Sequence, residues 1–567
     1  MRWTASMVPL VTLACSFPDR PNRPSPQGID DNAEERRDRA RGDRNDGDFD
    51  RPTVEEREVR NFDGTNNNLA NPEWGASFTH LERWVPADYG DGRATLAGAE
   101  RPSARLVSNL IAAQPEDEED PNPFRASDFV WQWGQFVDHD IGLTDGAEEL
   151  APILVPTGDP WFDPQRTGTQ VIPFNRALFD PATGTTSPRE QENEITAWID
   201  GSMVYGSSEV RATALRESSN SPFLDTSGGD LLPFNRDELT NANGPVANPS
   251  RLFLAGDVRV NEQVGLATMH TLFVREHNRW VRELEDERPD ADGEALYQQA
   301  RRLVIAEIQI ITYEEFLPAL IGANAMPAYT GYDATVHPGL FNGFSVAAFR
   351  LGHSMVNPQL RRIDDDGRTI GAGNLDLREA FFTAPQVLDG RRDLEPILRG
   401  LASQRHQRLD TRVVAPLRNF LFGEPGSGGL DLVALNLQRG RDHGVPSYVS
   451  VRQALGLGTV TSFSDITADV DVQARLEEAY GQVLAIDLWV GGLAEDPLTS
   501  EGSQVGPLFR TMLVRQFAAL RDGDRFWYTR DLSADELSRV SGTRLSQIIR
   551  ANTTIGNELS DDVFHVP

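Results

Sequence analysis

Residues Asn261 to Glu285 read NEQVGLATMHTLFVREHNRWVRELE, and within them Leu266, Met269, Phe273, His277, Trp280 and Leu284 recur at intervals of three and four. That spacing winds onto one face of a helix, so the stretch predicts a long α-helix with a buried stripe. Working outward, Asp128 to Asp140 predicts a second helix, with Ser127 or Asp128 as its cap. Ala295 to Leu320, rich in alanine and isoleucine, predicts a third that breaks at Pro318. Phe344 to Val356, Gln473 to Leu488 and Pro507 to Leu520 predict further helices. Alternating strand patterns are few and short, and no internal repeat is present. The fold class is therefore mainly α: one large helical domain with long Gly/Pro/Asp loops and little β-structure.

The 567 residues would permit about three or four domains on length alone. Net charge is −32 and the isoelectric point about 4.7. Every basic side chain apart from histidine is arginine. A surface this acidic argues against nucleic acid, whose phosphates need clustered positive charge. It argues equally against anionic membrane surfaces. Solubility is the plain reading of the charge. The single cysteine, Cys15, excludes an intrachain disulfide. No apolar run reaches the ~18–20 residues of a membrane span.

Residues 1–15 read as a possible signal or lipoprotein segment: Arg2, the apolar Met7 to Leu13, then Leu13-Ala14-Cys15. That predicts an extracellular or cell-surface protein. Residues 16–57, rich in Asp, Arg, Asn, Pro and Gly, read as a disordered tether. The remainder, 58–567, reads as one domain. The acidic run Glu116 to Asp120 reads as a solvated loop and Asp364-Asp365-Asp366-Gly367 as a turn.

Three segments carry chemistry. In Trp133-Gly134-Gln135-Phe136-Val137-Asp138-His139-Asp140, residues Gln135, Asp138 and His139 share one helix face, too polar a set for an ordinary core stripe. Ala255-Gly256-Asp257-Val258-Arg259-Val260-Asn261-Glu262-Gln263 sets Arg259 and Glu262 one turn apart at the start of the long helix. Phe349-Arg350-Leu351-Gly352-His353-Ser354 places a histidine after a glycine that lets a flat group approach the backbone.

In this order the three segments resemble the animal-type haem peroxidases, the superfamily of myeloperoxidase, lactoperoxidase and peroxidasin. The resemblance continues through Met269-His270-Thr271-Leu272, Arg275-Glu276-His277-Asn278-Arg279 and Asn436-Leu437-Gln438-Arg439-Gly440-Arg441-Asp442-His443-Gly444, and runs from about Asn61 onward. It implies His353 as the proximal haem-iron ligand, with Asn436 accepting a hydrogen bond from its other ring nitrogen. It implies Arg350 beside a haem propionate. His139 becomes the distal acid–base, Arg259 the stabiliser of charge on the departing oxygen, and Gln135 a positioning group for water or halide. Asp138 and Glu262 match the carboxylates that esterify haem b. Gln263 stands where the myeloperoxidase type has methionine, which favours bromide, iodide and thiocyanate over chloride as donors to hydrogen peroxide; phenols are further donors that the resemblance implies.

The resemblance also implies a calcium site from Thr196, Trp198, Asp200 and Ser202 with Asp140, next to the distal histidine. His277 reads as a satisfied core residue and His443 as structural. Two alternatives stand beside the peroxidase. Fatty-acid dioxygenases share the fold but place a tyrosine three residues before the proximal histidine, where this chain has Arg350. A haem-free adhesion protein would need a degenerate site, and the expected residues are all present.

Overall fold

The computed structural model describes residues 57–115 and 119–567. Its helices include α1 (Phe129–Ile141), α2 (Val264–Glu287), α3 (Gly293–Ile311), α4 (Leu317–Ile321), α5 (Asn342–Val346), α6 (Leu432–Asp442), α7 (Val470–Tyr480) and α8 (Pro507–Asp522). Helix α2 buries the predicted stripe: Leu266, Phe273 and His277 are fully covered, and Trp280 and Leu284 nearly so. Burying each large apolar side chain contributes about 1.5–3 kcal/mol, which fixes α2 against α1 and α3. Among the described residues, strands occur as short two-stranded pieces, such as Thr79–His80 antiparallel to Glu192–Asn193. Glu58–Pro567 forms one compact unit. The leader and tether expected at 1–57 lie outside the described residues, apart from Arg57. Asp364 to Gly367 is a tight turn, closed by the Asp364 amide on the Arg368 carbonyl at 2.8 Å.

Four local expectations are corrected. Pro318 does not break its helix: Thr312–Phe316 is a π turn that carries α3 into α4, which ends at Gly322 with φ 92°. Proline cannot make the helical bond to the residue four back, and the wider turn falls across that stretch. Arg259 and Glu262 lie ahead of α2 rather than in it, because the Gln263 side chain accepts from the Gly265 amide at 2.6 Å and caps the helix. Phe344 to Val356 is not one helix but α5 followed by a 3₁₀ segment, Ala348–Ser354. Gln473 to Leu488 is interrupted by Gly481, whose φ of 69° closes α7 in the left-handed conformation.

Helix α1 is anchored from a distance. Ser127 donates its amide to the Phe564 carbonyl at 2.8 Å and its hydroxyl to the Val563 carbonyl at 2.5 Å. The Phe564 ring packs against Phe129, Trp133 and Phe316.

Candidate active site

A cavity of about 310 Å³ lies between α1 and the 3₁₀ segment 348–354. Trp131, Gln135, Asp138 and His139 line it from α1; Phe349 to His353 face them, with Arg259 and Glu262 at the side. Leu417, Leu421, Phe422, Leu432 and Leu435 complete an apolar flank. A side chamber of about 200 Å³ shares Asp138, Arg259 and Arg350 and adds Arg439 and His443. All eight residues expected at the haem thus fall on this cavity or in contact with it, since Asn436 bonds to His353.

His139 is buried, and burial followed by the charge of Arg259 holds its imidazole well below the usual range, so the ring is neutral. Its Nδ1 lies 3.4 Å from Asp257 Oδ1. Asp257 also takes the fork of Arg259, with Nε to Oδ1 at 2.9 Å and Nη2 to Oδ2 at 2.8 Å. Burial pushes the Asp257 carboxyl up, but Arg259 and then His139 outweigh it and hold it low. Arg259 donates as well to the Gly142 carbonyl at 3.0 Å, at the end of α1. Sequence reasoning quoted Asp257 without giving it a role; its signal was a carboxylate two residues before a buried arginine. Gly256 is needed beside it, because a Cβ there would sit 2.2 Å from the Ser202 carbonyl oxygen.

The two other carboxylates are under-compensated. Burial raises Asp138 to about 6 against the attraction of Arg259 and Arg350. It raises Glu262 to about 7, with Asp257 and Asp138 adding repulsion. Gln263 donates to Gln132 Oε1 at 2.7 Å and Gln135 Oε1 at 3.1 Å, which fixes the Gln135 amide in the wall.

On the opposite wall, burial and then Arg350 lower His353 to about 3, so it too is neutral. Its Nδ1 meets Asn436 Nδ2 at 2.7 Å, while Asn436 Oδ1 accepts from Arg350 Nη1 at 3.1 Å. In this orientation the amide nitrogen faces the ring while the guanidinium holds the amide oxygen. Arg350 also donates to the Ser345 carbonyl at 3.1 Å, and Trp489 Nε1 donates to the Arg350 carbonyl at 3.2 Å.

The cavity fits a haem on three observations. Two neutral histidines border it from opposite walls. A Cβ at Gly352 would meet nothing within 4 Å, so the backbone there is open to a flat group. Arg259, Arg350 and Arg439 converge on the side chamber, where carboxylates of such a group would be paired.

The expected calcium residues also come together, behind α1. Asp140 and Asp200 are both buried. Asp140 Oδ1 accepts from the Ser202 hydroxyl at 3.0 Å and Asp200 Oδ1 from the Thr196 hydroxyl at 3.1 Å. Burial and then the charge of Asp200 push Asp140 far up; burial raises Asp200 to about 6 despite Arg60 and Arg301. Two buried carboxylates among hydroxyl oxygens are groups that could hold a hard cation. The Trp198 ring is packed inside, its Nε1 donating to the Gly64 carbonyl at 3.3 Å.

Two further histidines read in the sequence, His277 and His443, sit apart from the two facing walls. His277 is satisfied by the Tyr205 hydroxyl at 3.0 Å and the Pro222 carbonyl at 2.9 Å. His443 Nδ1 contacts Asn342 Oδ1 at 2.8 Å, and its ring borders the side chamber.

Residues 59–564 match the family model described as animal haem peroxidase. The chain belongs to the animal haem peroxidase family. That makes it an oxidoreductase of the haem peroxidase class. Peroxinectin A of Dictyostelium discoideum is 37% identical over 521 residues, covering 89% of this chain and 96% of that protein. Peroxidasin of Drosophila melanogaster is 35% identical over 553 residues; the match covers 89% of this chain but only 36% of the peroxidasin. Among solved structures, peroxidase A from Dictyostelium discoideum superposes with TM-score 0.83 at 34% identity, covering 90% of this chain and 100% of that one. A fatty acid alpha-dioxygenase of Oryza sativa shares the fold, with TM-score 0.74 at 22% identity over 91% of this chain and 88% of its own.

Proposed function

We propose that this haem peroxidase reduces hydrogen peroxide and uses the oxidising power on small donors: bromide, iodide, thiocyanate and phenols. The observation that carries this is the triangle in which Asp257 reaches both His139 and Arg259, with His139 on one wall of the cavity, Arg259 at its side and His353 on the opposite wall. Bound haem b supplies the redox centre, with His353 holding the iron.

The chain's own groups then handle protons and charge. Neutral His139 takes a proton from the peroxide at the ring nitrogen opposite Asp257 and returns it to the leaving oxygen, work that typically contributes ~10²–10⁴-fold. Asp257 fixes the ring and balances its transient positive charge. Arg259, held charged by Asp257, stabilises the negative charge that develops on the leaving oxygen. Gln135, fixed by Gln263, positions water or halide. On the other side, ligation through His353 Nε2 requires a proton on Nδ1. A half-turn of the Asn436 amide would supply the accepting oxygen and strengthen the ligand.

Asp138 and Glu262, two carboxyls pushed upward beside the cavity, suit ester bonds to haem. Asp140, Asp200, Thr196, Ser202 and the Trp198 carbonyl suit Ca²⁺, which would hold His139 in register through its neighbour Asp140. The dioxygenase alternative is disfavoured by Arg350 and Phe349, which leave no tyrosine on the wall beside His353. The adhesion alternative is disfavoured by the intact triangle. Action outside the cell or at its surface follows the reading of residues 1–15; no helix among the described residues is long and apolar enough to cross a membrane.

The test is an absorbance spectrum of the purified protein before and after peroxide, then after bromide or thiocyanate. A Soret band that shifts and returns with the donor supports the reading, and no Soret band after haem supply overturns it. Haem freely extracted from denatured protein would remove the ester bonds. A metal assay without stoichiometric calcium would remove the cation.

A further inference from the structure

Trp131 and Asp128 form a pair that the peroxide chemistry above does not use. Trp131 stands on the same face of α1 as Gln135 and His139, one and two turns away, and its ring lines the cavity. By the helical rise it stands about 12 Å from His139 along the axis. Among the described residues that line the cavity it is the sole indole, and no phenol accompanies it. Its neighbour Trp133 faces away, fully buried, and donates to the neutral Thr312 hydroxyl at 3.2 Å.

The Trp131 indole instead donates to a carboxylate: Nε1 lies 2.9 Å from Asp128 Oδ1. Asp128 is the N-cap residue of α1, where an aspartate ordinarily accepts amides of the first turn. Here it accepts none, and the Phe129 amide goes to the Ser127 hydroxyl at 3.2 Å. The carboxylate is committed to the indole and to Asn357 Nδ2, which reaches the same oxygen at 2.8 Å. Asn357 is held in turn by Gln407 at 2.6 Å. Asp128 is 1% exposed and makes no ion pair shorter than 4 Å among the described residues. Burial pushes its acid constant up to about 7, against those two hydrogen bonds and the more distant Arg361.

A buried carboxylate with so little compensation makes the pair easy to oxidise. Losing an electron makes an indole N–H strongly acidic, and a carboxylate at 2.9 Å stands ready for that proton. The charge of the pair then falls from minus one to zero, which removes the penalty of burying it.

We propose that Trp131 is a redox-active residue: it is oxidised by one electron during turnover, passes its Nε1 proton to Asp128, and is restored by a one-electron donor of the phenol or aromatic amine class. The inference rests on the peroxidase reading, since the oxidant is the haem after its reaction with hydrogen peroxide. In the step the indole N–H bond breaks and an O–H bond forms on Asp128. Trp131 supplies one of the two electrons that reduce peroxide to water, and the cofactor is reduced by one. The donor gives back one electron and the proton on Asp128 returns to Nε1, which restores the indole N–H and the carboxylate; the donor, now a radical, releases its own proton to solvent.

The experiment is electron paramagnetic resonance of the haem-loaded protein at pH 8, frozen within a second of adding peroxide. The expected result is an organic radical whose spectrum narrows when the tryptophans are ring-deuterated and does not respond to ring-deuterated tyrosine. W131F should remove at least nine-tenths of that signal while the Soret band remains. D128N keeps a hydrogen-bond acceptor but not a base, so the residual radical should keep its indole proton and change width between H2O and D2O. A radical that follows the tyrosine label, or one undiminished in W131F, overturns the proposal. Should W131F bind no haem, an unaltered D128N spectrum overturns it equally. A wild-type protein without a Soret band would sink the peroxidase reading itself, a result separable from a sound Soret band with no tryptophan radical.

Discussion

Arg105 and the haem cavity hold carboxylates under opposite electrical conditions. Around Arg105, fully enclosed, the guanidinium reaches Asp159 and Asp431, each at 2.7 Å, with Asn419 Oδ1 at 2.9 Å and the Arg418 carbonyl at 3.0 Å completing the set. Asp159 is held at about 2 although burial works against it. Around the cavity, Asp138 and Glu262 stand at about 6 and 7 because one strongly bound arginine serves several acids. The scaffold is neutralised locally, whereas the site keeps charge that only a ligand can complete.

The largest effect should come from His139→Ala, which removes the proton carrier. Its rate of reaction with peroxide, followed by stopped-flow at the Soret band, should fall ~10²–10⁴-fold; a loss under tenfold would show that the site's charge pattern does not serve proton transfer. Next, Arg105→Leu strands two buried aspartates and should cost about 3–5 kcal/mol in urea unfolding. A cost below 1 kcal/mol would erase the contrast drawn here. Asp257→Asn removes the charge that orders both distal groups; hydrogen bonds to charged partners contribute about 1.5–3 kcal/mol, so the peroxide rate should fall about tenfold or more with haem retained. Loss of haem instead would make Asp257 a scaffold residue.

The pH dependence separates the regions further. Asp487, buried between Arg441 and Arg101, is held at about 2: burial raises it, but the two arginines outweigh that. Its folded value lies below its unfolded one, so its stabilisation is full above the usual carboxylate range and disappears as pH falls through about 2. The contribution is roughly 2 kcal/mol. Unfolding midpoints from pH 5 to pH 2 should fall less in Asp487→Asn than in the parent protein, and parallel curves would count against the pair. At the small end, Arg368 and Asp366 pair at 2.9 Å with side chains 75% and 63% exposed. Arg368→Ala should change stability by less than about 0.5 kcal/mol, and a larger shift would mean that surface pairs here are not screened.

Residues whose role follows from helical periodicity were legible in the sequence. The stripe of α2 and the shared face of Gln135, Asp138 and His139 needed only the 3.6-residue repeat. Structure made by competition between local bonds was not. The π turn at 312–316 and the 3₁₀ segment at 348–354 leave no period to read, and Gln263 takes a capping place that moves Arg259 and Glu262 off the helix. Asp257 escaped because its meaning lies in a contact with His139, far away in the chain. Asn436 was correctly placed beside His353, but the direction of its hydrogen bond depends on Arg350, which no spacing rule weighs.

The clasp of residues 563–566 on Ser127 and Arg125 has a consequence for how the protein is made. The Val566 amide donates to the Arg125 carbonyl at 2.7 Å, so the foot of α1 is tied down by residues synthesised long after it. While the ribosome still holds that segment, one wall of the cavity lacks its fastening, and the contacts that complete it span most of the polypeptide. A nascent chain halted before residue 563 would hold both histidines of the cavity but lack this fastening of the helix on which His139 stands.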